Sequence, residues 1–146
     1  MTCPILKRNV VHGIEGRTMQ RWLLADTDVM VDFLRGHIMA CAFIHDYSER
    51  IILPSIVVAE LFAGVRGDRE LATLDRLLSV FRIVPVSAGI ARQGGLFKRD
   101  YAKSHGIGLA DAIVAATASV ENAELKTLNV KHYPMIKGLK PAYRKP

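Results

Sequence analysis

The chain has 146 residues, half of them hydrophobic, which is enough for one domain with a sizeable core and argues against disorder. No apolar run reaches the roughly 18 residues that a membrane span needs, and the N-terminus lacks the apolar stretch of a secretory signal. The two cysteines, Cys3 and Cys41, make neither a disulfide framework nor a zinc set, so we expect a cytoplasmic protein without membrane contact. The formal net charge of +6 favours an anionic partner, with nucleic acid first, although such a charge can also serve solubility alone.

Residues 1–20 show no periodicity typical of a helix or a strand. We therefore expect an N-terminal extension at residues 1–20 and a single domain at residues 21–146. Met19 stands directly before the first predicted strand, and we hypothesise that translation naturally starts there. A mass measurement on the endogenous protein that finds only the full-length species would contradict this hypothesis.

The first predicted element is a buried strand at residues 22–25, which stops at acidic residues. Thr27 or Asp28 is expected to cap the helix that follows, because the apolar residues after them recur every three or four positions. Asp26 would then lie at the carboxyl end of a parallel strand, which is the edge where open α/β sheets build their sites. A carboxylate at this position is more typical of a metal ligand than of a surface charge.

Further strands and helices alternate along the rest of the chain. Ser55 and Ser87 are the expected N-caps of the third and fifth helices. This alternation predicts a parallel sheet that is covered by helices on both faces. The later strands are predicted at residues 51–53, 82–86 and 124–127, and the later helices at residues 38–49, 56–65, 68–80, 88–105 and 109–121.

Two acids lie among small or apolar helical neighbours. Glu60 has Ile56 and Val57 one turn before it, and Asp111 has Val114 one turn after it. Each alone could be a buried acid satisfied by an arginine or by backbone amides, and Asp111 could also be a helix N-cap. Together with the acid after the first strand, they favour a pocket of repelling carboxylates that needs a divalent cation, Mg²⁺ or Mn²⁺.

Four sequence segments, in this order along the chain, resemble those of a known protein family. They are LLADTD at residues 23–28, PSIVVAEL at residues 54–61, LADAIVAATA at residues 109–118 and LKTLNVKHY at residues 125–133. The chain resembles the PIN-domain nucleases, and within them the VapC-type toxins of bacterial toxin–antitoxin pairs. The resemblance implies a three-layer α/β/α fold with a central parallel sheet of four to five strands, and metal-dependent cleavage of RNA.

The resemblance also implies the site residues. Asp26, Glu60 and Asp111 match the three metal-binding acids of the family, and Asn129 falls at a fourth catalytic position that is Asp or Asn in the family. Because Asn brings no charge, a second metal would be held more weakly here. Asp28 stands where the family commonly has Asn, and we expect it to cap the first helix rather than to supply charge to the site.

Other polar residues are weaker candidates. Thr127 could hold a water or a phosphate, and Lys126 and Lys131 are candidate contacts to the substrate backbone by their nearness to Asn129 in sequence. Asp32 is as plausible on the surface as in the site.

The chain after Glu124 carries six basic residues and no acid, which is typical of a phosphate-binding edge and equally of a solvated face. Tyr133 and Tyr143 lie among these charges, where they could stack on bases. His132 is expected to make an ordinary surface hydrogen bond, so a metal-activated water is preferred over histidine catalysis.

The expected function is that of a Mg²⁺-dependent endoribonuclease, the toxin of a toxin–antitoxin system, in which Mn²⁺ can substitute for Mg²⁺. Hydrolysis would leave a 3′-hydroxyl and a 5′-phosphate. The implied partners are an RNA substrate, a cognate antitoxin that covers the acidic pocket, and a second copy of the chain in a homodimer. Apolar residues of the early helices, such as Ile38, Met39, Leu71 and Leu74, could bind a partner helix or belong to the core.

Two alternatives remain open. A receiver-like phosphate switch is disfavoured, because the middle strands end without an acceptor aspartate. A catalytically weak or inactive PIN-like module that binds RNA or protein is the stronger rival, since Asn129 leaves the pocket with less charge. Metal-dependent RNA cleavage that Asp26→Asn abolishes would distinguish the enzyme from this module.

Overall fold

The computed structural model describes residues 20–146, so the proposed start at Met19 and the extension before it lie outside the described residues. The strands are β1 (Leu23–Ala25), β2 (Ile51–Pro54), β3 (Arg82–Val84) and β4 (Glu124–Lys126). The helices are α1 (Thr27–Leu34), α2 (Ile38–Tyr47), α3 (Ser55–Ala63), α4 (Gly67–Leu78), α5 (Ala88–His105) and α6 (Leu109–Val120), with short 3-10 turns at Ser48–Arg50 and Val130–His132.

The four strands form one parallel sheet in the order β3-β2-β1-β4. In this register Leu24 pairs with Ile52 on one side and with Leu125 on the other. The chain adds β2 and β3 on one side of β1 and then returns to place β4 on the opposite side, so the strand order reverses at β1. Such a reversal opens a crevice at the carboxyl ends of the strands. The predicted α/β/α fold with a parallel sheet of four to five strands is confirmed.

The core lies on both faces of β1 and β2, whose residues are all buried as expected of strands covered by helices. The helices contribute the remaining buried apolar side chains, including Val29, Phe43 and Leu74. Leu74 is therefore core, whereas Ile38 and Met39 are exposed to 75% and 39%. Within residues 20–146, no helix has both the length and the apolar character that a membrane crossing requires.

Helix α6 is held close to α5 by a glycine. A Cβ atom added at Gly94 would lie 3.0 Å from Ile113 Cγ1 and 3.3 Å from Ile113 Cα, so the two helices cross more closely than a side chain at residue 94 accommodates without a shift. The ammonium group of Lys98 also donates a hydrogen bond of 2.6 Å to the carbonyl of Ile107, just before α6 begins. These contacts fix the start of the helix that carries Asp111.

The predicted helix caps are only partly confirmed. Ser87 caps α5 by accepting a hydrogen bond from the N–H of Ile90. The prediction for α1 was wrong, because Asp26 is the N-cap and its Oδ1 accepts from the N–H of Thr27. The prediction for α3 was also wrong, because the Ser55 hydroxyl instead accepts from the backbone N–H of Val86, beyond β3.

Candidate active site

An open cleft of about 830 Å³ lies at the carboxyl ends of β1 and β4. Asp26 enters it from the end of β1, Glu60 from α3 and Asp111 from the first turn of α6. The structure thus brings together the three acids that the sequence places far apart. Asp28 and Asp32 of α1 also line the cleft.

Asp26 is a buried carboxylate whose side chain accepts three hydrogen bonds. Its side chain is 6% exposed, and Oδ1 accepts from the N–H of Thr27 at 2.8 Å. Oδ2 accepts from the hydroxyl of Thr127 at 2.8 Å and from the hydroxyl of Tyr133 at 2.6 Å. Neutral donors therefore hold the Asp26 carboxyl group in a fixed orientation.

Tyr133 and Thr127 do not have the roles that the sequence predicted. Tyr133 is 1% exposed and cannot stack on a base, and its hydroxyl also lies 3.4 Å from Asp111 Oδ1. Burial, and then the negative charge of Asp26, raise the pKa of Tyr133 far above its ordinary value, so the hydroxyl stays a donor. Thr127 is fully buried and cannot reach a water or a phosphate in the cleft. Sequence reasoning missed both contacts to Asp26, since these partners lie more than 100 residues away along the chain.

Asp28 joins the loop after β4 to α1. Its Oδ2 accepts from the backbone N–H groups of Leu128 and Asn129 at 2.8 and 3.1 Å, while Oδ1 accepts from the N–H of Val29. The expectation that Asp28 caps α1 was therefore wrong. Burial and the nearby charge of Asp26 raise the pKa of Asp28, although its backbone hydrogen bonds oppose this shift.

The negative charge of Asp26 acts on both Glu60 and Asp111. Burial, followed by the charges of Asp26 and Asp111, raises the pKa of Glu60. Burial and the charge of Asp26 likewise raise the pKa of Asp111, against an opposing effect from His132. His132 Nδ1 lies 3.2 Å from Asp111 Oδ2, so this exposed histidine makes a surface contact, as predicted, with a member of the acidic cluster that the sequence did not indicate.

The remaining predicted residues lie at different distances from the cluster. Asn129 is exposed and lines the cleft. Lys126 pairs with Glu124 at 2.7 Å and lines a separate hollow of about 690 Å³, so it does not reach the acidic cleft. Lys131 is also outside the cleft lining. Nearness to Asn129 along the chain therefore does not place either lysine at the cleft.

The carboxylate oxygens of the cleft are ligands of the type that a hard divalent cation prefers. Asp26, Asp28, Glu60 and Asp111 supply carboxylate oxygens only, and three of these groups have pKa values raised in part by the fourth, Asp26. In the part of the chain that the structure describes, no three His, Cys, Asp or Glu side chains already converge on one point.

Comparisons with known proteins agree with this arrangement. The PIN domain family model matches residues 23–133. Ribonuclease VapC10 of Mycobacterium tuberculosis is 39% identical over 127 residues, which are 85% of this chain and 95% of the relative. Ribonuclease VapC19 of the same organism is 42% identical over 124 residues, which are 82% of this chain and 98% of the relative.

A solved structure extends the likeness to three dimensions. The toxin–antitoxin complex from Klebsiella pneumoniae contains a chain that superimposes with a TM-score of 0.73 at 25% identity, covering 84% of this chain and 99% of the other. The acids that line the cleft all fall within the region that the family model matches. The chain therefore belongs to the PIN-domain family and, within it, to the VapC-type ribonucleases.

Proposed function

We propose that this VapC-type ribonuclease is the toxin of a toxin–antitoxin pair and cleaves RNA internally with the help of a divalent cation, Mg²⁺ first and Mn²⁺ as a substitute. The observation that carries the proposal is that Asp26, Glu60 and Asp111, from three separate elements, all line one open cleft. Carboxyl groups that lie close together raise one another's pKa, and the repulsion of their charges costs free energy unless a positive group offsets it. A divalent cation bound among these carboxylates would offset their repulsion and attract a phosphodiester to the cleft.

Asp26, Glu60 and Asp111 would hold the cation, with Asp28 beside them and Asn129 at the rim. The bound cation would polarise the scissile phosphate and acidify an attacking water. Thr127 and Tyr133 orient Asp26 through hydrogen bonds to Oδ2, and His132 contacts one oxygen of Asp111. Asn129 is placed to orient a water or a phosphate oxygen through its amide, because its side chain is exposed at the cleft.

The test is cleavage of total cellular RNA by the purified chain, freed of any antitoxin, in Mg²⁺, in Mn²⁺ and in chelator. We expect discrete fragments in either metal and none in chelator, with 3′-hydroxyl and 5′-phosphate ends. No cleavage in any condition by a folded protein would favour the alternative, a PIN-like module that binds RNA or protein without cutting it. Fragments with cyclic phosphate ends would contradict hydrolysis by water.

The partner surfaces also belong to this proposal. We infer that a cognate antitoxin and a second copy of the chain cover the exposed apolar residues of the early helices, Ile38, Met39 and Leu71, which the fold leaves without core contacts. Co-expression with the neighbouring antitoxin gene, followed by light scattering of the free toxin and of the complex, measures both associations. A free toxin that is monomeric at all concentrations would contradict the homodimer without affecting the nuclease.

A further inference from the structure

The C-terminal segment, residues 141–145, folds back along the wall of the acidic cleft. The N–H of Ala142 donates to the carbonyl of Thr127 at 2.9 Å, which joins the segment to the end of β4. The hydroxyl of Tyr143 donates to Asp32 Oδ2 at 2.8 Å, and its ring stacks on His37 with centroids 5.9 Å apart. This segment follows the region that the family model matches, which ends at residue 133.

Asp32 is the anchor of the segment. It is 7% exposed, and Lys145 Nζ lies 2.8 Å from Oδ2 and 3.1 Å from Oδ1. Burial acts to raise the pKa of Asp32, but the hydrogen bonds from Lys145 and Tyr143 and the charge of Lys145 outweigh it and lower the pKa. Lys145 therefore pairs with the buried charge of Asp32, and this contact holds the segment against α1.

Arg144 lies between these two anchoring residues and has a different environment. It is exposed, lines the cleft, and has no hydrogen-bond or ion-pair partner among residues 20–146. Arg35 also lines the cleft without such a partner in the described range, one turn after Asp32 at the end of α1. Two guanidinium groups are thus held at the cleft by an anchored segment and a helix end.

The cleft consequently has an acidic end and a cationic end. Asp32 follows Asp26 by six positions, which corresponds to about 9 Å along the axis of α1. The four carboxyl groups of the candidate site lie at the end of the cleft marked by Asp26. Arg35 and the C-terminal segment lie at the end marked by Asp32. An extended RNA strand with one phosphate at the carboxylates would place a neighbouring phosphate near the guanidinium groups.

We propose that Arg144, positioned by the Tyr143 and Lys145 contacts to Asp32, forms with Arg35 a subsite for an RNA phosphate adjacent to the one that is cleaved. The subsite rests on the proposed function, since it deepens the same cleft. Guanidinium groups bind phosphate oxygens in a bidentate manner, and an arginine without a protein partner loses no existing contact when it does so.

The test uses Arg144→Ala, Arg144→Lys and the matched control Arg92→Ala, which removes the same charge from an exposed position of α5 outside the cleft. Binding of a fluorescein-labelled pool of short single-stranded RNA is measured by anisotropy in chelator, over a series of salt concentrations. We expect Arg144→Ala to weaken binding several-fold and to reduce the slope of log K against log salt by about 0.7, the contribution of one phosphate contact. Arg144→Lys should keep most of the slope, and Arg92→Ala should keep all of it.

Cleavage kinetics in Mg²⁺ separate the subsite from the nuclease. Arg144→Ala should raise KM more than it lowers kcat, with an unchanged melting temperature. A salt slope and KM equal to those of the wild type would overturn the subsite, even with full nuclease activity. Loss of antitoxin affinity alone, with RNA binding intact, would overturn it too and assign Arg144 to a protein contact. A wild type that cleaves nothing, together with a reduced salt slope for Arg144→Ala, would refute the proposed function and support the subsite.

Discussion

The orientation of Asp26 depends on two neutral donors that reach it from the end of the chain. Thr127 and Tyr133 hold the same oxygen, Oδ2, inside a region from which water is excluded. If one of these donors is removed, the carboxylate stays buried. Part of the free-energy cost of removing it from water is then no longer offset by a hydrogen bond. The function of Asp26 is therefore inseparable from side chains that never touch a substrate.

Thr127→Val tests this dependence, because valine keeps the shape of threonine and removes only the hydroxyl. We expect a loss of about 1–3 kcal/mol in the free energy of unfolding and a reduced rate of RNA cleavage, since one donor to a buried charge is lost. Urea denaturation and initial cleavage rates measure the two effects.

Thr117→Val is the matched control. Thr117 is equally buried, but its hydroxyl donates to the carbonyl of Ile113 within its own helix. This change should leave the cleavage rate unaltered and cost less stability. Equal losses of activity in the two variants would show that the contact of Thr127 with Asp26 is not what matters.

At the scale of single residues, the sequence predicts the acids and not their partners. Asp26, Glu60 and Asp111 stand out because a carboxylate at a strand end or among apolar helical neighbours is locally anomalous. Tyr133 does not stand out, because a tyrosine in a basic segment is ordinary there. Only the parallel pairing of β1 with β4 brings its hydroxyl to Asp26.

At the scale of elements, the position of Asp111 depends on how closely α6 packs against α5. Gly94→Ala places a methyl group 3.0–3.3 Å from Ile113, part of which is backbone that cannot rotate away. We expect this variant to be less stable than Gly95→Ala by about 1 kcal/mol or more, and to cleave RNA more slowly because α6 must shift.

Gly95→Ala is the control for helix propensity, since a Cβ at Gly95 meets no atom within 4 Å. It should stabilise the protein by about 0.5–1 kcal/mol and leave activity unchanged. Both free energies come from urea denaturation under the same conditions. Equal stabilisation by the two substitutions would contradict the close crossing of α5 and α6.

Helix ends show where prediction from sequence succeeds at this scale. Ser87 was correctly predicted as a cap, because its partner, the N–H of Ile90, lies three residues away. Ser55 has the same local pattern, but its hydroxyl accepts from Val86, which β3 brings across from 31 residues away. The local sequence pattern predicts the strands and their parallel arrangement. Whether a serine hydroxyl accepts from a nearby or a distant N–H group depends on the packed structure.

At the scale of the whole molecule, the acidic cleft should lower stability whenever no cation is bound. The folded state raises the pKa of Asp28, Glu60 and Asp111, so it favours their protonated forms. Groups with raised pKa values make stability fall as the pH rises through those values, and Asp32, whose pKa is lowered, acts in the opposite sense. Apart from Asp32, the cleft is predicted to be more stable in mildly acidic chelator than at neutral pH.

Glu60→Gln tests this balance without reference to catalysis. In chelator at neutral pH the variant should be more stable than the wild type by less than about 1 kcal/mol, because solvent screens this exposed carboxylate. Addition of Mg²⁺ should stabilise the wild type more than the variant. Differential scanning fluorimetry measures both effects.

Glu49→Gln is the control, since it removes the same charge from an exposed position outside the cleft. It should respond to Mg²⁺ as the wild type does. A Mg²⁺ stabilisation that is equal in all three proteins would place the cation elsewhere on the chain.

The most direct test of the account is the initial rate of RNA cleavage in Mg²⁺ by the wild type, by Asp26→Asn and by Asp46→Asn. Asp46 is an exposed acid of α2 whose one ion-pair partner within residues 20–146 is His45 at 3.4 Å, so its substitution removes a charge from outside the cleft. We predict that Asp26→Asn reduces the rate at least 100-fold, as expected when a group that acts on developing charge is lost, and that Asp46→Asn cleaves like the wild type. Cleavage by a folded Asp26→Asn protein at the wild-type rate would contradict the assignment of the acidic cleft as the active site.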